Sequence, residues 1–218
     1  MQRIVVINAK GGCGKTTVST NLASYYATQG LNTALLDYDP QGSGMRWLRT
    51  RPNDAAAIYG VIAHQSAAKA VTMSWHMRLP PETERIVVDT PPGLKGPDLV
   101  DQLQGADCIL IPVVPSPIDI FATADFIRDL LLVAKVRTNR TKLAIIANRI
   151  RQNTLAFQSL ERFLKTLSIP VVARLRDSQN YVHASEEGLG VHELKKRPNE
   201  AERNHWRELV TWLEQNRQ

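Results

Sequence analysis

Cysteine and long apolar segments are both scarce in this sequence, and each absence narrows the possible functions. Only Cys13 and Cys108 occur, without metal-ligand spacing, and the five histidines show no such spacing either. This argues against a zinc site and fits a reducing cytoplasm. No apolar run approaches the ~20 residues that span a bilayer. Because a strand is predicted almost from Met1, we also expect no secretory signal.

The overall composition is that of an ordinary globular domain. Of the 218 residues, 43% are hydrophobic and 22% are charged, so we expect one domain over residues 1–218 with a sizeable core. Apolar, β-rich runs alternate with segments of helical length. This alternation predicts an α/β fold, in which a mostly parallel, twisted sheet is flanked by helices on both faces.

The predicted elements follow from these runs. The strands are expected at Arg3–Asn8, Thr33–Asp37, Arg85–Asp89, Cys108–Val113, Leu143–Ala147 and Val171–Ala173. The helices are expected near Thr16–Gln29, Ser43–Arg51, Asp98–Gly105, Ala122–Arg137, Leu155–Leu167, Tyr181–Gly188 and Asn199–Gln215. Residues 52–81 are harder to interpret, and there we expect one helix, His64–Ala70, and an edge strand.

The most informative segment is residues 8–17, Asn-Ala-Lys-Gly-Gly-Cys-Gly-Lys-Thr-Thr. It follows an apolar run and precedes a predicted helix, which is the context that a phosphate-binding loop requires. Its glycines let the backbone turn tightly and aim N–H groups at phosphate oxygens. Lys15 is expected to reach the β- and γ-phosphates of ATP, and Thr16 to coordinate Mg²⁺. The predicted nucleotide-binding residues of this loop are Lys10, Gly11, Gly12, Cys13, Gly14, Lys15, Thr16 and Thr17.

The loop departs from the usual phosphate-loop pattern at two positions. Ala9 stands where the first glycine is usual, and a second lysine, Lys10, follows it. The form Lys-Gly-Gly-x-Gly-Lys-Thr resembles the deviant Walker A motif of the ParA/MinD family of ATPases, which have a P-loop fold. The resemblance implies an ATP-dependent homodimer, in which Lys10 of each subunit reaches the nucleotide of the other. Lys10 and Lys15 are therefore predicted catalytic residues.

Two further segments place acids at predicted strand ends, where open α/β sheets bind ligands. Residues 35–43 resemble the Asp-x-Asp-Pro-Gln signature of the same family, which implies that Asp39 positions the attacking water and Asp37 supports the Mg²⁺ shell. A helix-capping aspartate before Pro40 would explain one of these acids but not the whole segment. Residues 86–93 have the Walker B arrangement, so Asp89 is expected to hold Mg²⁺ through water. The predicted metal-site residues are Thr16, Asp37 and Asp89, and Asp39 is the third predicted catalytic residue.

The resemblance extends, less specifically, to about Val191. Residues 112–119 resemble a Pro-x-x-Pro-Ser-Pro-x-Asp run of small plasmid-partition ATPases. Asn148, at a predicted strand end, falls where these proteins contact adenine, and Asp177 falls where they close over it. Both are therefore candidate base ligands. An asparagine at a strand end is otherwise common, and that alternative stays open.

Positive charge is concentrated in the last third of the chain. The net charge is +6, and residues 137–218 hold 15 basic against nine acidic residues, hence the whole excess. Such a bias is typical of a nucleic-acid face, although a solvated basic surface fits the charge equally well. By the resemblance we expect the ATP-bound dimer to be cytoplasmic and nucleoid-associated, to bind DNA non-specifically, and to need a ParB-like or other adaptor protein that stimulates hydrolysis. The candidate DNA contacts are Arg149, Arg174, Arg176, Lys195, Lys196 and Arg197.

These motifs predict an ATPase that positions or segregates a cargo, whether plasmid, chromosome or protein complex. The main alternative is a MinD-like, membrane-associated regulator of division, whose relatives use a C-terminal amphipathic helix. Here Trp206, Leu209, Val210 and Leu213 form a helical stripe, but Trp212 breaks it and nearby glutamates weaken attraction to anionic lipid, so packing on the domain is favoured. Metabolic amide-forming ATPases generally lack the second lysine. Neither cysteine lies in the motifs of nitrogenase-type reductases.

Overall fold

The strands of the chain form one parallel sheet. The computed structural model describes residues 1–63, 79–132, 141–195 and 200–215. The strands in these ranges are β1 (Gln2–Val6), β2 (Thr33–Asp37), β3 (Tyr59–Ile62), β4 (Arg85–Asp89), β5 (Cys108–Val113), β6 (Lys142–Ile150) and β7 (Val171–Arg176). Their order is β3-β2-β4-β1-β5-β6-β7, and every neighbouring pair is parallel. The predicted sheet is confirmed, and β3 is the expected edge strand.

Helices cover both faces of the sheet, as predicted. They are α1 (Lys15–Thr28), α2 (Ser43–Thr50), α3 (Gly96–Leu103), α4 (Pro117–Leu132), α5 (Leu155–Lys165), α6 (Gln179–Glu186) and α7 (Glu200–Gln215), with a 3-10 turn at Val191–Glu193. Side chains of α1, α2 and α7 pack on one face, and those of α3, α4 and α5 pack on the other. Because side chains alternate along a strand, Ile4 and Val6 belong to the first layer and Val5 to the second. Strand β1 is therefore buried on both sides.

The central strands bring the sequence motifs to one edge of the sheet. Strand β1, which leads into the phosphate loop, lies between β4 and β5. Its last residue, Val6, is the register partner of Asp89 on β4, and Asp89 is in turn the register partner of Asp37 on β2. The loop and both acids therefore meet beyond the carboxyl ends of adjacent parallel strands, where such sheets bind ligands.

One predicted helix boundary was wrong because a start signal was overlooked. Helix α4 begins at Pro117 rather than Ala122. The Ser116 carbonyl accepts a hydrogen bond of 2.9 Å from the Ile120 N–H, which closes the first turn, and proline suits the first helical position because its φ is already helical. The predicted helix His64–Ala70 and residues 133–137 of the predicted α4 lie outside the described residues.

The predicted end of β6 was also wrong. The strand continues to Ile150 instead of ending at Ala147, but its pairing with β7 is irregular between these residues. Arg149 in this stretch has φ of 50°, a left-handed conformation that is uncommon for a residue with a side chain. The irregularity acts as a bulge, which turns the strand beside the motif-bearing edge of the sheet.

The C-terminal helix packs on the domain, as expected from its interrupted stripe. Trp206 is 3% exposed, and Leu209 and Leu213 are fully buried. The Gln2 side-chain amide donates to the Leu213 carbonyl at 3.0 Å, which ties α7 to β1. Within the described ranges, no helix has both the length and the apolar character needed to cross a bilayer.

Candidate nucleotide site

The segment between β1 and α1 has the geometry of a phosphate-binding loop. Gly12 and Gly14 adopt φ of 79° and 94°, which a residue with a side chain adopts only with strain. Helix α1 begins directly afterwards, so its free N–H groups and positive dipole end lie at the loop. The Lys15 ammonium is nearly buried and donates to the Lys10 carbonyl at 3.0 Å. Cys13 is buried and its thiol donates to the same carbonyl, so it fills space in the loop.

The predicted metal residues Thr16 and Asp89 are already in contact. The Thr16 hydroxyl donates to Oδ2 of Asp89 at 2.6 Å, and the Ser19 hydroxyl lies 3.4 Å from Oδ1. Asp89 is fully buried, and this burial raises its pKa to about 7 although the Thr16 hydrogen bond opposes the shift. Sequence reasoning missed Ser19. The signal was its position three residues after Thr16, on the same helix face.

Asp37 and Asp39 end β2 with different surroundings. Asp37 is fully buried; one of its oxygens accepts from the Asp39 N–H and the other from the Met45 N–H, each at 3.0 Å. Burial raises the Asp37 pKa, although these backbone donors oppose the shift. Asp39 is half-exposed and accepts from the Gln41 N–H at 2.9 Å. Asp37 therefore fixes the backbone at the start of α2, whereas Asp39 has an oxygen available for a ligand or water.

The three acids form one electrostatic cluster. Both Asp37 and Asp39 raise the pKa of Asp89 through charge repulsion, in addition to its burial, while Lys15 lowers it. Carboxylates crowded in this way, next to a hydroxyl and a lysine, are matched to a divalent cation and phosphate oxygens. The arrangement brings together every predicted catalytic and metal residue on a single edge of the sheet.

A cavity of about 290 Å³ adjoins the start of α1. Both candidate base ligands line it, Asn148 and Asp177, together with Thr17. The Asn148 side-chain N–H donates to the Cys13 carbonyl at 2.8 Å, which links this wall to the phosphate loop. Asp177 forms an ion pair with Arg151 at 2.6 Å. Sequence reasoning did not name the cavity-lining residues Ser178, Tyr181, Val182, Ser185 and Glu186, all in the segment that begins α6.

The candidate DNA contacts do not share one environment. Arg149 and Arg176 line the same cavity as Asn148. Arg174 is paired with Glu161 at 3.0 Å, so part of its charge is compensated. Lys195 is exposed after the 3-10 turn, whereas the other two candidates, Lys196 and Arg197, lie outside the described residues.

Comparison with known proteins agrees with this geometry. Residues 4–191 match the model of the CobQ/CobB/MinD/ParA nucleotide-binding domain. The chain belongs to this family. The resemblance to ParA/MinD ATPases is therefore confirmed, and it covers both the phosphate loop and the segment that lines the cavity.

Individual members of the family are named for different roles. The maintenance of carboxysome distribution protein A from Halothiobacillus neapolitanus is 30% identical over 192 residues, 88% of this chain and 87% of its own length. A putative plasmid partition protein from Borrelia burgdorferi, solved with AMPPNP, has a TM-score of 0.75 at 16% identity and covers 98% of this chain and 99% of its own. MinD from Pyrococcus horikoshii, solved with Mg-ADP, has a TM-score of 0.69 at 14% identity, with coverages of 97% and 95%. These ligands agree with the predicted ATP and Mg²⁺.

Proposed function

We propose that this protein hydrolyses ATP and switches between a monomer and an ATP-bound homodimer in order to position a cargo. The observation that carries the proposal is the convergence of Thr16 and the three acids beside a loop with two lysines. Family membership supports nucleotide binding at this loop.

The residues present fit Mg²⁺ well. The Thr16 hydroxyl and the Asp89 carboxylate are hard oxygen donors 2.6 Å apart, and Asp37 is the register neighbour of Asp89. A buried carboxylate with a raised pKa gains most from a cation, which favours its charged form. When bound, Mg²⁺ neutralises charge that develops on the transferring phosphoryl group.

The side chains of the site then divide the work of phosphoryl transfer. Lys15 holds the phosphate chain with the loop amides, and its bond to the Lys10 carbonyl keeps the ammonium inside the loop. Asp39 orients the attacking water with its available oxygen. Asp37 holds the Asp39 backbone in place. Catalysis of this type depends mostly on positioning, so slow turnover without a partner is expected.

The second lysine supports the dimer. In the described part of the chain, the Lys10 ammonium has no hydrogen-bond or ion-pair partner, while the Lys10 backbone is held by the Asn8 side chain at 3.2 Å. A fixed backbone with an uncommitted charge suits a contact made in trans. We infer that Lys10 of each subunit touches the nucleotide of the other, where it stabilises charge as an arginine finger does.

Cargo and track are the finer part of the proposal. Relatives are named for carboxysome distribution, chromosome partitioning and plasmid partition. The basic excess of the last third supports non-specific DNA binding by the dimer at the nucleoid, with release when an adaptor protein stimulates hydrolysis. A membrane track is disfavoured, because the apolar stripe of α7 is buried against the sheet.

Light scattering on the purified protein tests the proposal. The chain should run as a 24.4 kDa monomer alone or with ADP, and at twice that mass with Mg²⁺ and AMPPNP. The same sample should release phosphate from ATP in a Mg²⁺-dependent manner. A mass that ignores the nucleotide, or no turnover with and without DNA, would overturn the proposed function.

A further inference from the structure

The segment from Gly188 to Glu193 joins three elements around the site. The Val191 N–H donates to the Asn21 side chain on α1 at 2.7 Å. The indole N–H of Trp47 on α2 donates to the Leu189 carbonyl at 3.2 Å. The segment itself follows α6, which lines the cavity. It therefore contacts the helix after the phosphate loop, the helix after the acids and the cavity wall.

An almost buried ion pair lies at the centre of these contacts. Arg51, directly after α2, pairs with Glu193 at 2.7 Å, and the two side chains are 5% and 11% exposed. The Arg51 guanidinium also donates to the carbonyls of Gly188 at 3.1 Å and Ala56 at 2.9 Å. All three contacts are long-range or turn contacts that fix the end of α2.

Glu193 extends this contact to α1. One of its oxygens accepts from Arg51 at 2.9 Å, from the Gly190 N–H at 2.7 Å and from the Ser24 hydroxyl on α1. Burial alone would raise the Glu193 pKa, but these donors outweigh it and hold the pKa below its ordinary value. The carboxylate therefore stays charged at neutral pH, and it bonds both helices at once.

The other end of α2 is bonded to the acids. The Met45 N–H in its first turn donates to Asp37, and Asp37 in turn accepts from the Asp39 N–H. A β-carbon at Gly44 would lie only 3.0 Å from Asp37 Oδ2, so the helix is packed closely on this carboxylate. A shift of α2 would move both acids.

We propose that Arg51 and Glu193 are positioning residues, which hold α2 against α1 and thereby fix Asp37 and Asp39 relative to the phosphate loop. This inference rests on the proposed ATPase function. Buried ion pairs contribute little net stability compared with apolar packing, and their best-attested use is to fix a register. Here the register is that of the acids against the loop.

The test compares two Arg–Glu pairs in the same chain. Glu193→Gln keeps the volume and an acceptor oxygen but removes the charge that holds Arg51. Glu214→Gln makes the same change in the pair between Arg85 and Glu214, which anchors α7 away from the nucleotide. For both variants we would measure kcat and KM for ATP, the Kd of MgADP, and the thermal midpoint.

We expect Glu193→Gln to lower kcat roughly tenfold or more, because small misplacements of catalytic groups are costly, with KM and the MgADP Kd within about twofold of wild type. Glu214→Gln should lower the thermal midpoint without this loss of kcat. In the double variant with Arg51→Gln, kcat should fall little further than in either single variant, because the two residues act as one unit.

Each outcome bears on a different claim. Equal kcat in wild type and Glu193→Gln, or an equal loss in both glutamine variants, would overturn this inference while leaving the proposed function intact. Absence of turnover in the wild type would overturn the proposed function itself. If Glu193→Gln does not fold, Arg51→Lys, which keeps the charge but loses the bidentate fork, is measured in its place and should show a smaller loss of kcat with unchanged MgADP affinity; an unchanged kcat would overturn the inference.

Discussion

The buried carboxylate of Asp89 should make the ligand-free protein less stable as pH rises, and Asp89→Asn should remove this effect. The folded-state pKa is about 7, against an ordinary 3.8, because burial disfavours the charged form. With the pKa raised in the fold, its contribution to stability is full below pH 3.8 and is lost as pH rises towards 7. Between pH 5 and pH 8 this loss amounts to roughly 3 kcal/mol.

Urea unfolding in EDTA at pH 5, 6, 7 and 8 measures the effect. The free energy of unfolding of Asp89→Asn, relative to wild type, should rise by roughly 3 kcal/mol across this range. Asp98→Asn, at an exposed position on α3, controls for removing a surface carboxylate. Adding Mg²⁺ with ADP should shrink the difference, since a cation favours the charged carboxylate. A difference between wild type and Asp89→Asn that stays constant with pH would refute the reasoning.

Three other substitutions test separate parts of the account. Asp39→Ala should bind ATP and dimerise but hydrolyse about a hundredfold more slowly in phosphate-release assays; normal turnover would remove Asp39 from the mechanism. Gly14→Ala should weaken MgADP binding in calorimetry, since its β-carbon would lie 2.1 Å from the Asn148 amide nitrogen, whereas Gly105→Ala, with a similar positive φ but open space, should cost only stability. Neutralising residues 195–197 together should flatten the log–log salt dependence of DNA binding by up to ~0.9 for each phosphate that these residues neutralise, with DNA-free hydrolysis unchanged; an unchanged slope would exclude this segment from the DNA face.

The parts of the molecule that the sequence predicts well are those encoded locally. The bounds of β2, β4 and β5 match the structure because each is a short apolar run bounded by turn residues, and parallel sheets bury such runs on both sides. The phosphate loop and the acids Asp37 and Asp89 are placed together for a related reason, since each lies at the carboxyl end of a strand of that sheet.

The parts that the sequence did not predict depend on distant contacts or unusual backbone. Arg51 and Glu193 are separated by 142 positions, and no local pattern connects them. The left-handed Arg149 interrupts β6 without a glycine to signal it. Ionic pairing likewise divides the basic residues in a way that composition does not reveal, because Arg174 is bound to Glu161 while Arg149 faces the cavity.

The most direct test of the nucleotide-switched dimer is the mass of Lys10→Ala with Mg²⁺ and AMPPNP. This variant should bind the nucleotide, since Lys15 and the loop amides remain, yet stay a monomer. Lys142→Ala, at the opposite end of the sheet, should dimerise as the wild type does, and Lys15→Ala should lose nucleotide binding altogether. A Lys10→Ala protein that binds AMPPNP and still doubles its mass in light scattering would contradict the role of Lys10 across the interface.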